Sequence, residues 1–177
     1  HVACHRGFRA GILETVPSAN GRLKVRNMKM DKLTLRDQLQ EFNASYVRCI
    51  DSDDLEKWPN YFLSECHYRV TSAENDRNGF EAGLMYATSK SMLQDRISAL
   101  RNANIYERQT YRHMVGLPYV LRSDANEAEC ETPFLVVRIV QGDETSLYAT
   151  GIYKDVFDVS GEEPYLKSRI VVCDSSR

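Results

Sequence analysis

The last seventy residues of the chain constrain its fold most. Four long extended runs, at about 110–121, 129–141, 145–158 and 165–174, follow one another with only short turn clusters between them at 123–126, 141–144 and 160–163. The turn clusters are rich in Ser, Asp, Asn and Gly, and links this short join antiparallel neighbours. Runs of this length predict a twisted or curled sheet, with Pro133 and Gly151 as expected bulges or bends.

The residues before these runs carry a different period. From Asp31, the side chains Leu35, Leu39, Phe42, Tyr46, Cys49 and Ile50 recur at steps of three and four, which places them on one helical face. Thr34 with Asp37 has the spacing of a capping box, so the helix is expected to start there. The acidic turn 51–54 then leads into a short aromatic helix with Leu55, Trp58, Tyr61 and Phe62, broken near Pro59. Residues 66–71 alternate like a strand, 74–83 read as a loop, and Thr88 or Ser89 can cap a third helix carrying Met92, Leu93, Ile97 and Leu100. Helices first and an antiparallel-rich sheet afterwards is the α+β class. At least two of Trp58, Tyr61 and Phe62 should pack against the first helix.

Residues 1–27 stand apart. They hold five basic side chains against Glu14 alone, a charge of +4, whereas 28–177 carry −6 within a total of −2. We read 1–27 as an N-terminal arm or upstream extension, with a start at Met28 or Met30 as the alternative, and 28–177 as a single domain. A body of that sign repels a phosphate backbone, so nucleic acid is not an expected partner. Apolar stretches such as 134–137 and 170–173 have four residues each and none is longer, against roughly 20 for a bilayer span, so no membrane crossing is expected. Five cysteines at wide spacing suggest neither a disulfide framework nor a metal knuckle and fit a cytoplasmic setting.

Candidate chemistry is sparse. Of four histidines, two lie in the arm, leaving His67 and His113. A Rieske centre needs Cys-x-His and Cys-x-x-His, and a facial iron triad needs two histidines with a carboxylate; neither Rieske spacing occurs. Adjacent Cys66 and His67 would point to opposite strand faces. The remaining polar candidates are Asp51, Tyr68, Asp95, Arg96, Arg101, Tyr111, Arg112 and His113, with Trp58 as an aromatic anchor. Paired charges at interfaces are the expected role for the ionic members of this set. The alternative is a free-standing dehydratase or isomerase, with Asp51 or Asp95 and His113 as acid and base inside the sheet.

Three segments carry a likeness to a known family: DSDDLEKWPNYFLSECHYRVT (51–71), SKSMLQDRISALRNANIYERQTYRHMVGLP (89–118) and RIVVCDS (169–175). They resemble the small, or beta, subunit of aromatic-ring-hydroxylating Rieske dioxygenases over about 34–175. Within that family, the likeness is nearest to small subunits of terephthalate dioxygenases. The resemblance implies a cone like that of nuclear transport factor two, with N-terminal helices packed against a strongly curved, antiparallel-rich sheet. It implies a non-catalytic subunit supporting an α3β3 hexamer, with beta subunits meeting around a threefold axis. No cofactor is expected in this chain; the 2Fe–2S Rieske cluster and mononuclear Fe(II) belong to the large alpha subunit, on which the reductase acts. Asp51, Trp58, Tyr68, Asp95, Arg96, Arg101, Arg112 and His113 then become assembly or structural candidates, and catalytic, cofactor and metal residues are expected to be none.

Overall fold

A computed structural model describes residues 32–81, 83–102, 109–140 and 145–174. The arm 1–27 lies outside the described residues.

Helix α1 (Lys32–Asp51) presents the face that its period predicts: Leu35, Leu39, Phe42, Tyr46 and Cys49 are all buried. Its start differs from expectation. The helix already includes Lys32, so Thr34 sits in the first turn and not ahead of it, where a capping side chain belongs. The turn after α1 holds Asp53 at φ 59°, a left-handed conformation that Asp tolerates better than most residues. A 3₁₀ turn, Trp58–Tyr61, opens on Pro59 and sets its aromatics against α1. Tyr46 meets the rings of Trp58, Tyr61 and Phe62 at 6.4, 5.5 and 6.3 Å, and all three of those rings thereby pack on the helix.

The sheet has seven strands: β1 (Phe62–Ser72), β2 (Met85–Ser89), β3 (Gln109–Val115), β4 (Tyr119–Ser123), β5 (Glu127–Val140), β6 (Thr145–Asp158) and β7 (Tyr165–Cys173). Its order is β2-β1-β7-β6-β5-β3, with β4 also on β5. The hairpins β5–β6 and β6–β7 are antiparallel, as short links require, but β1 runs parallel to β7. Local turn chemistry cannot register that pairing, because β1 and β7 are joined through most of the chain.

Three further differences have local causes. The run expected at 110–121 is two strands, both on β5: β3 pairs with 134–140 and β4 with 128–131. Gly116 lies at the switch, where its N–H donates to the Pro133 carbonyl at 2.8 Å and an added Cβ would come within 2.7 Å of the proline ring. Gly151 is likewise a close approach, with Val172 O 2.0 Å from where its Cβ would be; the β5–β6 register shift itself lies between Val136 and Val137, opposite Tyr148. The loop expected at 74–83 begins as a short helix, α2 (Ala73–Arg77), capped by Ser72 Oγ accepting from Asn75 N at 3.2 Å. Asp76 fixes α2 to the outer sheet face through Arg69 at 3.6 Å and Lys154 at 2.6 Å. Ser89 caps α3 (Lys90–Asn102) as expected, accepting from Met92 N at 3.3 Å.

The sheet curls around α1. Inward residues of β5, β6 and β7, among them Phe134, Val136, Tyr153, Phe157, Leu166 and Val171, meet the apolar face of the helix. Phe42 packs edge-on against Phe157 at 5.0 Å. Among the described residues no helix is long and apolar enough to cross a membrane.

Candidate functional site

Two polar constellations join α1 to the sheet. The first involves residues the sequence reading passed over. Arg169 on β7 and Asp155 on β6 occupy inward positions among apolar neighbours, and both side chains are 0% exposed. The guanidinium grips the carboxylate with two bonds, Nε to Oδ1 and Nη2 to Oδ2, each 2.8 Å. Nη2 also donates to Asn43 Oδ1 of α1 at 2.6 Å, and Asn43 Nδ2 donates to Thr132 Oγ1 of β5 at 3.4 Å. The rings of Tyr46 and Tyr153 enclose the cation at 4.2 and 4.4 Å. Burial works against the charge on Arg169, but the Asp155 carboxylate outweighs it and holds the guanidinium pKa above its usual value. The same burial raises the Asp155 carboxyl, with Arg169 opposing the shift. One helix and three strands are thus tied by a single dry network, which is a structural device.

The second constellation is the one the sequence reading singled out. Asp51 is the last residue of α1, and His113 faces it from β3. Its two carboxylate oxygens accept from the His113 backbone N–H at 2.9 Å and from ring Nδ1 at 2.6 Å. With the carboxylate able only to accept, Nδ1 carries the hydrogen shared with Asp51. Nε2 has no hydrogen-bond partner among the described residues. The pair is about seven-eighths enclosed, with side-chain exposures of 15% for His113 and 11% for Asp51.

His113 borders an open pocket of about 360 Å³ between α1 and the curled sheet, walled also by Tyr46, Tyr68, Tyr111, Tyr148 and Tyr153 with aliphatic side chains between them. Burial pushes the Tyr46, Tyr68 and Tyr153 hydroxyls above their usual pKa, so they remain protonated at neutral pH. Tyr68 packs edge-on against Trp58 at 5.2 Å, and Trp58 is buried, which places this pair in the core.

The other candidates separate from this centre. Arg101, on the last turn of α3, donates Nε to Glu56 Oε1 at 2.8 Å and Nη1 to Asp53 Oδ1 at 2.8 Å. It also donates Nη2 to the Asp53 carbonyl at 2.7 Å, holding the left-handed residue in its turn. Asp95 and Arg96 lie on the exposed side of α3, and Arg112 on the exposed side of β3; among the described residues none of them has an ion-pair partner. Of the two acid–base pairings considered from sequence, Asp51 with His113 is assembled, and Asp95 with His113 is not.

The described residues do not fit a metal. No three His, Cys, Asp or Glu side chains among them converge, and Asp51 already spends both oxygens on His113. Cys66 is buried while the neighbouring His67 ring meets Tyr86 at 5.8 Å.

Comparison with known proteins bears on this arrangement. A family model described as "Ring hydroxylating beta subunit" matches residues 46–177. The beta 1 subunit of the terminal oxygenase component of terephthalate 1,2-dioxygenase from Comamonas sp is 49% identical over 139 residues, 78% of this chain and 90% of that protein. The anthranilate 1,2-dioxygenase small subunit of Burkholderia cepacia is 37% identical over 133 residues, 75% and 82% of the two chains. The crystal structure of a beta subunit ascribed to an aromatic-ring-hydroxylating dioxygenase of Novosphingobium aromaticivorans superposes with TM-score 0.77 at 37% identity, covering 82% of this chain and 92% of that one.

Proposed function

Because the chain belongs to the ring hydroxylating beta subunit family of aromatic-ring dioxygenases, and so has an alpha subunit as partner, we propose that it is the small subunit of a terephthalate dioxygenase whose role is assembly. The observation that carries the substrate is the 49% identity to terephthalate dioxygenase beta subunits over nine-tenths of their length. The complex is an α3β3 hexamer in the cytoplasm, with beta subunits around the threefold axis and the reductase acting on alpha. Its Rieske cluster and mononuclear iron sit in alpha, and this chain comprises one domain, 28–177, behind an N-terminal arm.

The surface supports this reading. Met114 of β3 pairs in register with Leu135, and Tyr119 of β4 with Glu131; Leu135 and Glu131 share one side of β5, so Met114 and Tyr119 share the outer sheet face. Both are more than half exposed, as are Leu117 and Leu121, and together they make an apolar area suited to a neighbouring subunit. Exposed Asp95, Arg96 and Arg112 offer charges of both signs to such a neighbour. Inside the chain, Asp51, Trp58, Tyr68, Arg101 and His113 hold the shape that presents these surfaces.

Co-purification from the native host tests the proposal. The chain should emerge with a larger polypeptide bearing a Rieske absorption spectrum, in equal molar amounts, and the complex should oxidise terephthalate when a competent reductase is added. A chain that emerges alone, with alpha equally active without it, would contradict the assembly role.

A further inference from the structure

We propose that the open pocket under α1 takes a monocyclic aromatic carboxylate, ring first, with its carboxylate held at the mouth by Arg138. The pocket has a direction, which the burial of its walls reveals. Tyr46, Tyr68 and Tyr153 are 2, 8 and 4% exposed and form the inner end, whereas Tyr148 is 56% exposed and stands at the opening beside Tyr111, 5.1 Å away ring to ring. The mouth is therefore on the Tyr111 and Tyr148 side. Between the two ends, aromatic faces and edges alternate with Val70, Val136 and Val171, a lining that suits a flat apolar ring, and about 360 Å³ leaves room for one.

Arg138 belongs to this mouth by register. It pairs across β3 with Tyr111 as Val136 pairs with His113, and residues directly opposite in a ladder share a face, so Arg138 takes the inner side of the sheet one step outward from pocket-lining Val136. Its charge is felt there. Burial raises the Tyr111 hydroxyl pKa, and the Arg138 guanidinium opposes that shift. Among the described residues Arg138 has no ion-pair partner, and its Nε is buried without a hydrogen bond, a state that calls for an acceptor. Asp51 does not supply one, since His113 takes both of its oxygens. A carboxylate matches the planar fork of a guanidinium, and at an open mouth it keeps part of its water while the ring leaves water altogether. The site is separate from the assembly role argued above and does not rest on it.

The test is a titration of the full chain at pH 7 with benzoate, its uncharged isostere benzamide, and acetate, followed by amide chemical shifts. Benzoate should saturate at one site per chain, shift the signals of Tyr111, Arg138 and Ala149, and weaken as salt is added. Benzamide should bind about tenfold more weakly, and acetate, lacking the ring, should not saturate over the same range. Arg138→Gln should bring benzoate down to the affinity of benzamide while leaving benzamide within about twofold, and Arg138→Lys should restore part of the difference. If the variants do not fold, the wild-type ratio of benzoate to benzamide, its salt dependence and the mapped shifts decide. Equal affinity for benzoate and benzamide, acetate binding as well as benzoate, unchanged benzoate affinity in Arg138→Gln, shifts confined to residues outside the pocket, or no saturation by benzoate would each overturn the proposal.

Discussion

Two constellations tether the same helix, one at its middle and one at its end, and they differ in how completely they are closed. Around Asn43, the Arg169–Asp155 pair is sealed from water, both carboxylate oxygens are gripped, and tyrosine rings cover the cation. At Asp51 the carboxylate is equally engaged, but its partner His113 keeps one ring nitrogen unpaired beside an open pocket. The Arg169 guanidinium is held through Nε and Nη2 while its Nη1 stays buried without a partner among the described residues, and with no water reaching the pair its role is to hold structure. At Asp51 the pair is only partly enclosed, and one nitrogen of the His113 ring is left for water or a neighbouring group.

Breaking the sealed pair should have the largest effect. Arg169→Ala or Asp155→Ala leaves an uncompensated buried charge and should cost about 3–5 kcal/mol in denaturant unfolding. Replacing both by apolar residues of similar size, Arg169→Met with Asp155→Leu, should recover most of that loss, since the penalty lies in the orphaned charge. Trp58→Ala supplies an apolar benchmark of similar size, about 3–5 kcal/mol, because it empties the ring contacts among Tyr46, Phe62 and Tyr68. A loss from Trp58→Ala below about 1 kcal/mol would mean that this ring does not anchor α1.

Breaking the open pair should cost less. Asp51→Ala removes two bonds to His113 that are part-buried, and a loss of about 1.5–3 kcal/mol is expected by the same measurement. A cost matching that of Arg169→Ala would erase the distinction between the two sites.

Thiol chemistry probes closure independently. Burial, with a contribution from Asp155, pushes the Cys130 thiol up to about 12, so at pH 8 roughly one molecule in 10⁴ carries the thiolate. Cys130 should resist alkylation until the protein unfolds, while half-buried Cys173 reacts first among the four cysteines of the described residues; peptide mass mapping after a timed iodoacetamide pulse reads the order. The smallest effect belongs to Arg101→Ala, whose partners Asp53 and Glu56 are largely exposed. A slight fall in melting temperature is expected, and it should shrink further in high salt.

These contrasts also explain what could be read before the structure was known. The inward face of α1, the aromatic anchors and the hairpins β5–β6–β7 follow from local period and turn chemistry, and they stand as expected. Asp51 and His113 are legible as candidates because they are polar side chains in segments expected to wall the inside of the curved sheet. That they meet across 62 residues was not readable, since it depends on how β3 docks on α1. Arg169 and Asp155 did leave a signal: each replaces an apolar residue at an inward step of a period-two strand, beside Val171 and between Tyr153 and Phe157. The parallel β1–β7 pairing left none, because nothing local marks a partner so distant in sequence.

The assembly role itself is tested most directly by separating a polar surface from turnover. Asp95→Ala and Arg112→Ala, made together in the full chain and co-expressed with alpha, alter exposed charges remote from the sealed core. Complexes should be sorted by size and assayed for terephthalate oxidation per Rieske cluster with a competent reductase. The account predicts fewer intact hexamers, each turning over within about twofold of the wild-type rate. Normal hexamers that lose turnover by about a hundredfold would contradict it and place these residues in the chemistry.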